Sequence, residues 1–355
     1  MIFTKKELEF LKVFQSCSED GDDKLTIISE KESSKVYFTL FTDNIKLIEE
    51  KSMTVEEDFN LSIMLAQFNS MLSFCNENDK IEISQGKIKF GNNSEYDFET
   101  FDFNKENFDN LLNLSLEGKD IELQDVSKIE TVSFAIGQEP EIACVAFQDN
   151  HFISYNGTIL TFIETKNKID NNFYLPKMFY KLYQIFKFDS ITLKDIDSNY
   201  FYLSINNLKI YLYVSDYSIP YIFDDGIKSK YEHNDKVVVK KANLKLALAR
   251  LKVLNQKTTY NRVFLYLEEN LIHLEIKDDF KGYEDVTAGL MDDTLKETYV
   301  ICNTGFLYDI INNFMSEDII FKMKAVEDLS SIKLEDEQAK MNYVLTLYKK
   351  YKEEK

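Results

Sequence analysis

The sequence predicts an α+β chain in which one module, two helices packed on antiparallel sheet, occurs three times. Three observations predict it. First, paired apolar runs flank a short acid-plus-Asn turn three times, as KVYFTLFTDNIKLIEE from Lys35, IACVAFQDNHFISYN from Ile142 and RVFLYLEENLIHLEI from Arg262. Asp-Asn and Glu-Asn steps between such runs are hairpin signals. The turn residues Asn44, Asn150 and Asn270 stand 106 and 120 residues apart, the size of a small domain. Second, FNLSIMLAQFNSMLSF from Phe59, FYLPKMFYKLYQIFKF from Phe173 and ICNTGFLYDIINNF from Ile301 each read as a strand end, a turn and one amphipathic helix. Third, each of those helices precedes further strand-like runs, beginning at Asp79, Ser190 and Glu317.

Taken in order, the predicted helices cover 5–18, 62–75, 125–134, 177–187, 240–257 and 305–316. Ser62, Pro176 and Thr304 suit helix starts. Met64, Leu65, Phe68 and Leu72 recur as Met178, Phe179, Leu182 and Phe186, and as Phe306, Leu307, Ile310 and Phe314. That spacing marks one buried face per helix. Leu244, Leu248 and Leu251 form the equivalent stripe in the fifth helix. Polar stretches at 105–122 and 223–236 separate the copies, giving domains over 1–115, 116–234 and 235–355.

A chain of 355 residues, 44% hydrophobic, can bury a large core in two or three domains. Only 3 Pro and 10 Gly interrupt it, while 28 Phe and 21 Tyr favour strands. No run approaches the roughly 20 apolar residues that span a bilayer, so a soluble, cytoplasmic protein without membrane contact is expected. Cys17, Cys75, Cys144 and Cys302 form no CxxC pair and read as reduced thiols; neither a metal nor any other cofactor is expected.

The formal charge of -19 argues against a uniformly nucleic-acid-binding surface, so its distribution decides. The six helical segments hold 13 basic and 5 acidic side chains, against 29 and 56 elsewhere. Positive charge is therefore gathered on helices: Lys5, Lys6 and Lys12 on the first, Lys177, Lys181 and Lys187 on the fourth, and Lys240, Lys241, Lys245, Arg250, Lys252 and Lys257 on the fifth. Any one such helix is ordinarily a solvated face; two acid-free basic helices in an acidic chain point to a shared surface for phosphates. Without helix-turn-helix, zinc or aromatic RNA-binding signatures, its contacts would be sequence-independent and salt-sensitive.

The threefold module, YLPKMFYKLYQIF followed by DSNYFYLSINNLKIYLYVSDYSIPYI, and VVVKKANLKLALARLKVL through RVFLYLEENLIHLEI to the final MNYVLTLY resemble the bacterial β sliding clamp, the processivity factor of DNA replication. The similarity follows element order over nearly the whole chain and is strongest in the third copy, as in a divergent, phage-like relative. It implies three clamp domains per chain and a head-to-tail homodimeric ring around double-stranded DNA. Its partners would be a DNA polymerase and a clamp-loader ATPase, and the chain would do no chemistry itself. The family's peptide pocket would fall on Tyr155, Asn156, Gly157, Thr158, Ile159 and Leu160 with Val344, Leu345, Thr346, Leu347 and Tyr348. Thr158-Ile159 stands where the family has His-Arg, and Thr346, Leu347 and Tyr348 replace its Met-Pro-Met-rich end, which implies a different peptide. The ring joint would involve Tyr96, Phe98, Val253 and Leu254. Plain core packing is the competing account of the apolar members of both sets.

Catalytic devices are missing. His151, His233 and His273 form no HExxH or paired ligand spacing, and no GxxxxGK[ST], GxGxxG or GxSxG occurs. Acid pairs such as Asp22-Asp23, Asp224-Asp225 and Asp292-Asp293 lie in polar runs that solvated turns explain. The competing function is a repeat-built structural or interaction protein with no role on nucleic acid.

Overall fold

Each apolar run becomes a strand, and the elements follow one another in the same order three times in the computed structural model. It describes residues 1–91, 94–98, 101, 103–114, 116–196, 199–255, 261–277, 281–324 and 329–348. The first copy runs β1 (Ile2–Thr4), α1 (Leu11–Cys17), β2 (Lys24–Glu30), β3 (Lys35–Phe41), β4 (Ile45–Ser52), β5 (Phe59–Met64), α2 (Leu65–Ser73), β6 (Lys80–Ser84), β7 (Lys87–Phe90) and β8 (Ser94–Asp97). After α3 (Lys105–Leu112) the second runs β9 (Lys119–Leu123), α4 (Lys128–Val132), β10 (Cys144–Gln148), β11 (His151–Tyr155), β12 (Ile159–Glu164), β13 (Phe173–Pro176), α5 (Lys177–Phe186), β14 (Ile191–Ile196), β15 (Tyr200–Ile205) and β16 (Leu208–Tyr213). After α6 (Asp225–Lys228) the third runs β17 (Asp235–Lys240), α7 (Lys241–Asn255), β18 (Arg262–Glu268), β19 (Leu271–Ile276), β20 (Gly282–Met291), β21 (Tyr299–Asn303), α8 (Thr304–Asn313), β22 (Asp318–Met323), β23 (Ser331–Asp336) and β24 (Met341–Thr346).

The chain forms two compact units, Met1–Ser127 with Leu175–Ser215, and Lys128–Tyr174 with Asp216–Lys355. The first holds a four-stranded sheet, β1-β6-β7-β8, and an eight-stranded sheet, β5-β2-β3-β4-β16-β15-β14-β9. The twelve-stranded sheet of the second is ordered β13-β10-β11-β12-β24-β23-β22-β17-β20-β19-β18-β21. Two four-strand patterns thus recur in every copy. One is β5-β2-β3-β4, β13-β10-β11-β12 and β21-β18-β19-β20; the other is β1-β6-β7-β8, β9-β14-β15-β16 and β17-β22-β23-β24. Antiparallel β4–β16 and β12–β24 pairs weld these patterns into longer sheets.

This order corrects the phase of the first repeat. The counterpart of the β10–β11 and β18–β19 turns is β2–β3, closed at 31–34 with Ser34 left-handed at φ 53°, whereas Asn44 closes β3–β4. In the second copy Asp149 and Asn150 are both left-handed, at φ 42° and 63°, as a two-residue hairpin of matching twist requires. In the third only Glu269 is, at φ 49°.

Helix starts also differ from expectation. Ser62 lies inside β5, where its hydroxyl meets that of Thr26 at 3.0 Å, and α2 begins three residues later. Pro176 does sit at the cap of α5, while Thr304 opens α8 behind Asn303, whose side chain accepts from Phe306 N at 3.0 Å. The 5–18 segment is broken into a 3₁₀ turn, Lys6–Leu8, and α1; 125–134 is a short α4 continued by the 3₁₀ turn Ser133–Ala135. The predicted apolar faces are buried at Leu65, Phe68 and Leu72, at Met178, Phe179 and Leu182, at Leu307, Ile310 and Phe314, and at Leu244, Leu248 and Leu251. Met64, Phe186 and Phe306 are half-buried.

Phe68 is fully buried on α2 with its ring against Phe90 and Phe98. Phe68→Ala is expected to destabilise the first unit by about 3–5 kcal/mol; an unchanged urea midpoint by circular dichroism would contradict this packing.

Candidate nucleic-acid and partner surfaces

In the first unit α1 packs against both α2 and α5, which brings the basic segments of two copies side by side. Not all of that charge is free. Lys5 donates to the carbonyl of Cys75 at 2.6 Å and so closes the end of α2; Lys12 pairs with Glu9 at 3.3 Å. Lys187 takes the left-handed C-cap of α5 at φ 50° and lies 4.9 Å from the Tyr183 ring centre. Lys177 occupies the first turn of α5. Exposed Lys6 and half-buried Lys181 make no ion pair among the described residues.

In the second unit α7 packs against α8 and β20. Neighbouring acids answer much of the charge expected on it: Lys240, which ends β17 instead of opening the helix, pairs with Asp318 at 2.7 Å, Arg250 with Glu284 at 3.2 Å, and Lys252 with Asp309 at 3.1 Å. Lys241 donates to the Phe314 carbonyl. Lys245 has no ion-pair partner among the described residues, and Lys257 lies outside them. Asp309 is the one acid of α8; Asp318 and Glu284 come from strands far away in sequence, which a charge count along helices does not see.

The two halves of the expected partner pocket do meet. Ile159 is in register with Leu345 and Leu160 with Val344 across the β12–β24 joint, and Thr346 N donates to Thr158 O at 3.0 Å. The loop is shaped by Asn156, whose side chain accepts from the amides of Thr158 and Ile159 at 3.1 and 2.8 Å, and by Gly157 at φ 88°, a conformation that favours glycine. Tyr155 closes it, its hydroxyl donating to Gly157 O at 3.0 Å. Period-two alternation then sorts the side chains. Leu345 is fully buried and supports the sheet, as does nearly buried Leu347; Thr346 is exposed, and Tyr348 is 39% exposed with its hydroxyl accepting from Asn303 Nδ2 at 3.3 Å.

Leu160 and Val344 share the other face, yet are only 9% and 7% exposed. A segment of the same unit covers them: Ile219, Ile222 and Tyr231, with Tyr217, Phe223 and Ile227 at the margin, pack on Leu160, Phe162 and Val344. Gln148 pins that segment, donating to Pro220 O at 3.2 Å and accepting from Ile222 N at 3.0 Å, while Tyr231 donates to Ile222 O at 2.6 Å. Along the sequence, part of this stretch reads as a polar boundary between copies. The signal of its covering role is the apolar run Tyr217–Phe223 at its start.

The residues expected at the ring joint fall on two of the stretches that pair on one side only among the described residues. β8 pairs with β7 and carries Tyr96, 42% exposed; Phe98 follows it, half-buried against Phe68. Residues 282–287 of β20 pair with β19, beside the C-terminal turn of α7 where Val253 is 66% exposed and Leu254 is partly so.

Among the described residues no group of three or more His, Cys, Asp or Glu side chains converges as a metal site would, and no helix is long and apolar enough to cross a membrane. Burial pushes the Cys17 and Cys144 thiols up to about 12, and those of Cys75 and Cys302 upward too.

By sequence the chain matches no protein-family model and no curated protein. Its fold is similar to solved structures over almost its full length. A DNA polymerase sliding clamp from Caulobacter crescentus matches at TM-score 0.79 and 12% identity, covering 98% of this chain and 99% of that one. The DnaN sliding clamp (DNA polymerase III subunit beta) of Bartonella birtlesii, bound to griselimycin, matches at 0.77 and 13%, and the DNA polymerase III beta subunit of Thermotoga maritima at 0.77 and 14%, each with 99% of both chains covered. The chain has the bacterial sliding-clamp fold, in a divergent sequence.

Two measurements check these surfaces. A raised thiol pKa means less thiolate at pH 8, and Cys75 alone of the four is not fully buried; iodoacetamide should label Cys75 first, and early labelling of Cys17, Cys144 or Cys302 would contradict the packing. Ile222→Ala should cost about 2–4 kcal/mol and uncover Leu160 and Val344, read as a lower urea midpoint with increased binding of an apolar dye.

Proposed function

We propose that this chain is a DNA sliding clamp: two copies close head to tail into a ring around duplex DNA and tether a polymerase to it, without catalysing a reaction. One observation carries the reading. The strand orders repeat three times, and β4–β16 and β12–β24 join successive copies by the same pairing, third strand of one pattern to last strand of the other. After two such joints the chain has one strand of each type left, β20 and β8. A joint of that kind between chains is heterologous, and such contacts either close into a ring or run on as a filament. The clamp-like fold favours closure, with domains over 1–115, 116–234 and 235–355.

The basic helices supply the interior. Lys6, Lys181 and Lys245 are the strongest candidates for phosphate contact because no acid pairs with them among the described residues; Lys5, Lys12, Lys177, Lys187, Lys240, Lys241, Arg250, Lys252 and Lys257 complete the set. Topological linkage allows each contact to be weak, so the ring can slide. Tyr155, Thr158, Thr346 and Tyr348 form the accessible rim of the partner surface, with Gly157 shaping its loop and Leu160, Leu345 and Leu347 beneath. A polymerase tail and a loader ATPase would dock there, and the work would take place in the cytoplasm. Tyr96, Phe98, Val253 and Leu254 belong to the joint between chains.

The decisive experiment is gel filtration with nicked circular DNA, on which the chain should be retained after loading and from which linearisation should release it. Equal dissociation from circle and linear form would refute the clamp reading. Lys181→Glu with Lys245→Glu should weaken direct binding to duplex and lower the slope of log affinity against log salt by about 0.9 for each phosphate no longer neutralised. An unchanged slope would remove these two from the interior surface.

A further inference from the structure

We infer that the joint between two copies sets acid against acid, with Glu95 on β8 of one chain opposite Asp285 on β20 of the other, so that salt tightens it. This rests on the ring reading and adds to it a register and a charge pattern. Both joints inside the chain obey one rule: the first residue of the third strand pairs with the fifth residue of the last strand, as Ile45 with Leu212 and Ile159 with Leu345. Applied to β20 from Gly282 and β8 from Ser94, the rule sets Gly282 opposite Phe98, Tyr283 opposite Asp97, Glu284 opposite Tyr96, Asp285 opposite Glu95 and Val286 opposite Ser94.

The faces agree with that register. A side chain at Gly282 would meet Leu254 and Leu251 of α7, and Glu284 reaches Arg250 on the same helix, so these positions face the helices. On the other edge Tyr96 and Ser94 pair with Ile88 and Phe90, and Phe90 lies against Phe68 of α2. Helix-facing residues therefore meet helix-facing residues; a one-residue slip would reverse every side chain. Glu95, Asp97, Tyr283 and Asp285 share the opposite face.

Composition separates this joint from the other two. The paired stretches of β12 and β24, Ile159–Ile163 and Met341–Leu345, hold no charge, and those of β4 and β16 hold Lys46, Glu49 and Lys209. The β8 and β20 edges hold Glu95, Asp97, Glu284 and Asp285, and no base. Their counter-charges stand back from the edge. Lys87 lies 2.8 Å from Glu95 and 3.8 Å from Asp97, Lys89 lies 3.6 Å from Glu95, and Arg250 is 3.2 Å from Glu284. His273 Nδ1 is 2.6 Å from Asp285, with its Nε2 3.5 Å from Glu268 and its ring stacked near Tyr266. Like charges directly opposite one another destabilise an antiparallel pair. Salt screens them over about 10 Å at 0.1 M, while backbone hydrogen bonds and the contacts of Tyr96, Val253 and Leu254 persist.

The test uses the full chain in a Cys75→Ser background. Tyr96→Cys with Glu284→Cys, opposite each other in this register, should oxidise to a covalent dimer. Sedimentation equilibrium of the unmodified chain should show a dimer that tightens between 50 and 500 mM NaCl. Asp285→Lys should lower the dimer dissociation constant about tenfold at 50 mM, roughly threefold per joint, with the gain shrinking at 500 mM. Glu95→Gln, which disturbs no contact of His273, should act in the same direction. A chain that stays monomeric throughout overturns the ring reading itself. A dimer that fails to cross-link overturns the register. A cross-linked dimer that loosens in salt, or that neither substitution tightens, overturns the acid seam and leaves the ring standing.

Discussion

An edge strand presents a row of amide and carbonyl groups that only another strand satisfies at full strength, and that demand organises every copy of this fold. A four-strand pattern with one helix-covered face still has two open edges. Joining the third strand of one pattern to the last strand of another removes one edge from each. The chain does this twice in the same register, at β4–β16 and β12–β24. Helix packing follows from it, since parity across each joint keeps the buried faces of neighbouring patterns continuous: Leu47 meets Ile210, and Thr161 meets Tyr343.

Within each unit the helical segments carry net positive charge in a strongly acidic background. In three dimensions the contrast is softer than along the sequence. Asp318, Glu284 and Asp309 neutralise three of the basic side chains between Lys240 and Lys252, and such exposed pairs are worth little to stability. Their effect is on availability: a lysine already paired exchanges one partner for another when it meets a phosphate, which weakens each contact. In the proposed ring, where topology would hold the protein on its ligand, weak contacts would favour sliding over sticking.

Much of this is legible in the sequence, and the failures have physical causes. Alternation finds the strands and the 3.6-residue period finds the buried faces, because both are properties of a single element. Phase in the first copy misleads because the Asp-Asn turn at 43–44 looks like that at 149–150, whereas the equivalent turn, 31–34, is built of Lys, Glu and Ser; only the order of strands in the sheet tells them apart. Ser62 has the chemistry of a helix cap but spends its hydroxyl on Thr26 across a sheet. The covering segment around Ile219 and Ile222 escapes notice because its partners, Leu160 and Val344, are remote in sequence. Resemblance alone points to the loop of Asn156 and Gly157, and its geometry accounts for the residue types found there.

Joints built by one rule need not be equally strong. The β12–β24 joint aligns five residues on each strand with no charge among them, and two of these, Phe162 and Tyr343, are buried on opposite faces of the sheet. Opening it would expose apolar surface on both faces at about 25 cal/mol per Å². The edges of β8 and β20 bear carboxylates and exposed tyrosines instead, so exposing them to water costs far less. Repetition fixes where a joint can form, and side-chain composition fixes which joint can open. Were the proposed ring to open for DNA, that inequality would part it at the acidic edges, where every strand inside the chain stays paired.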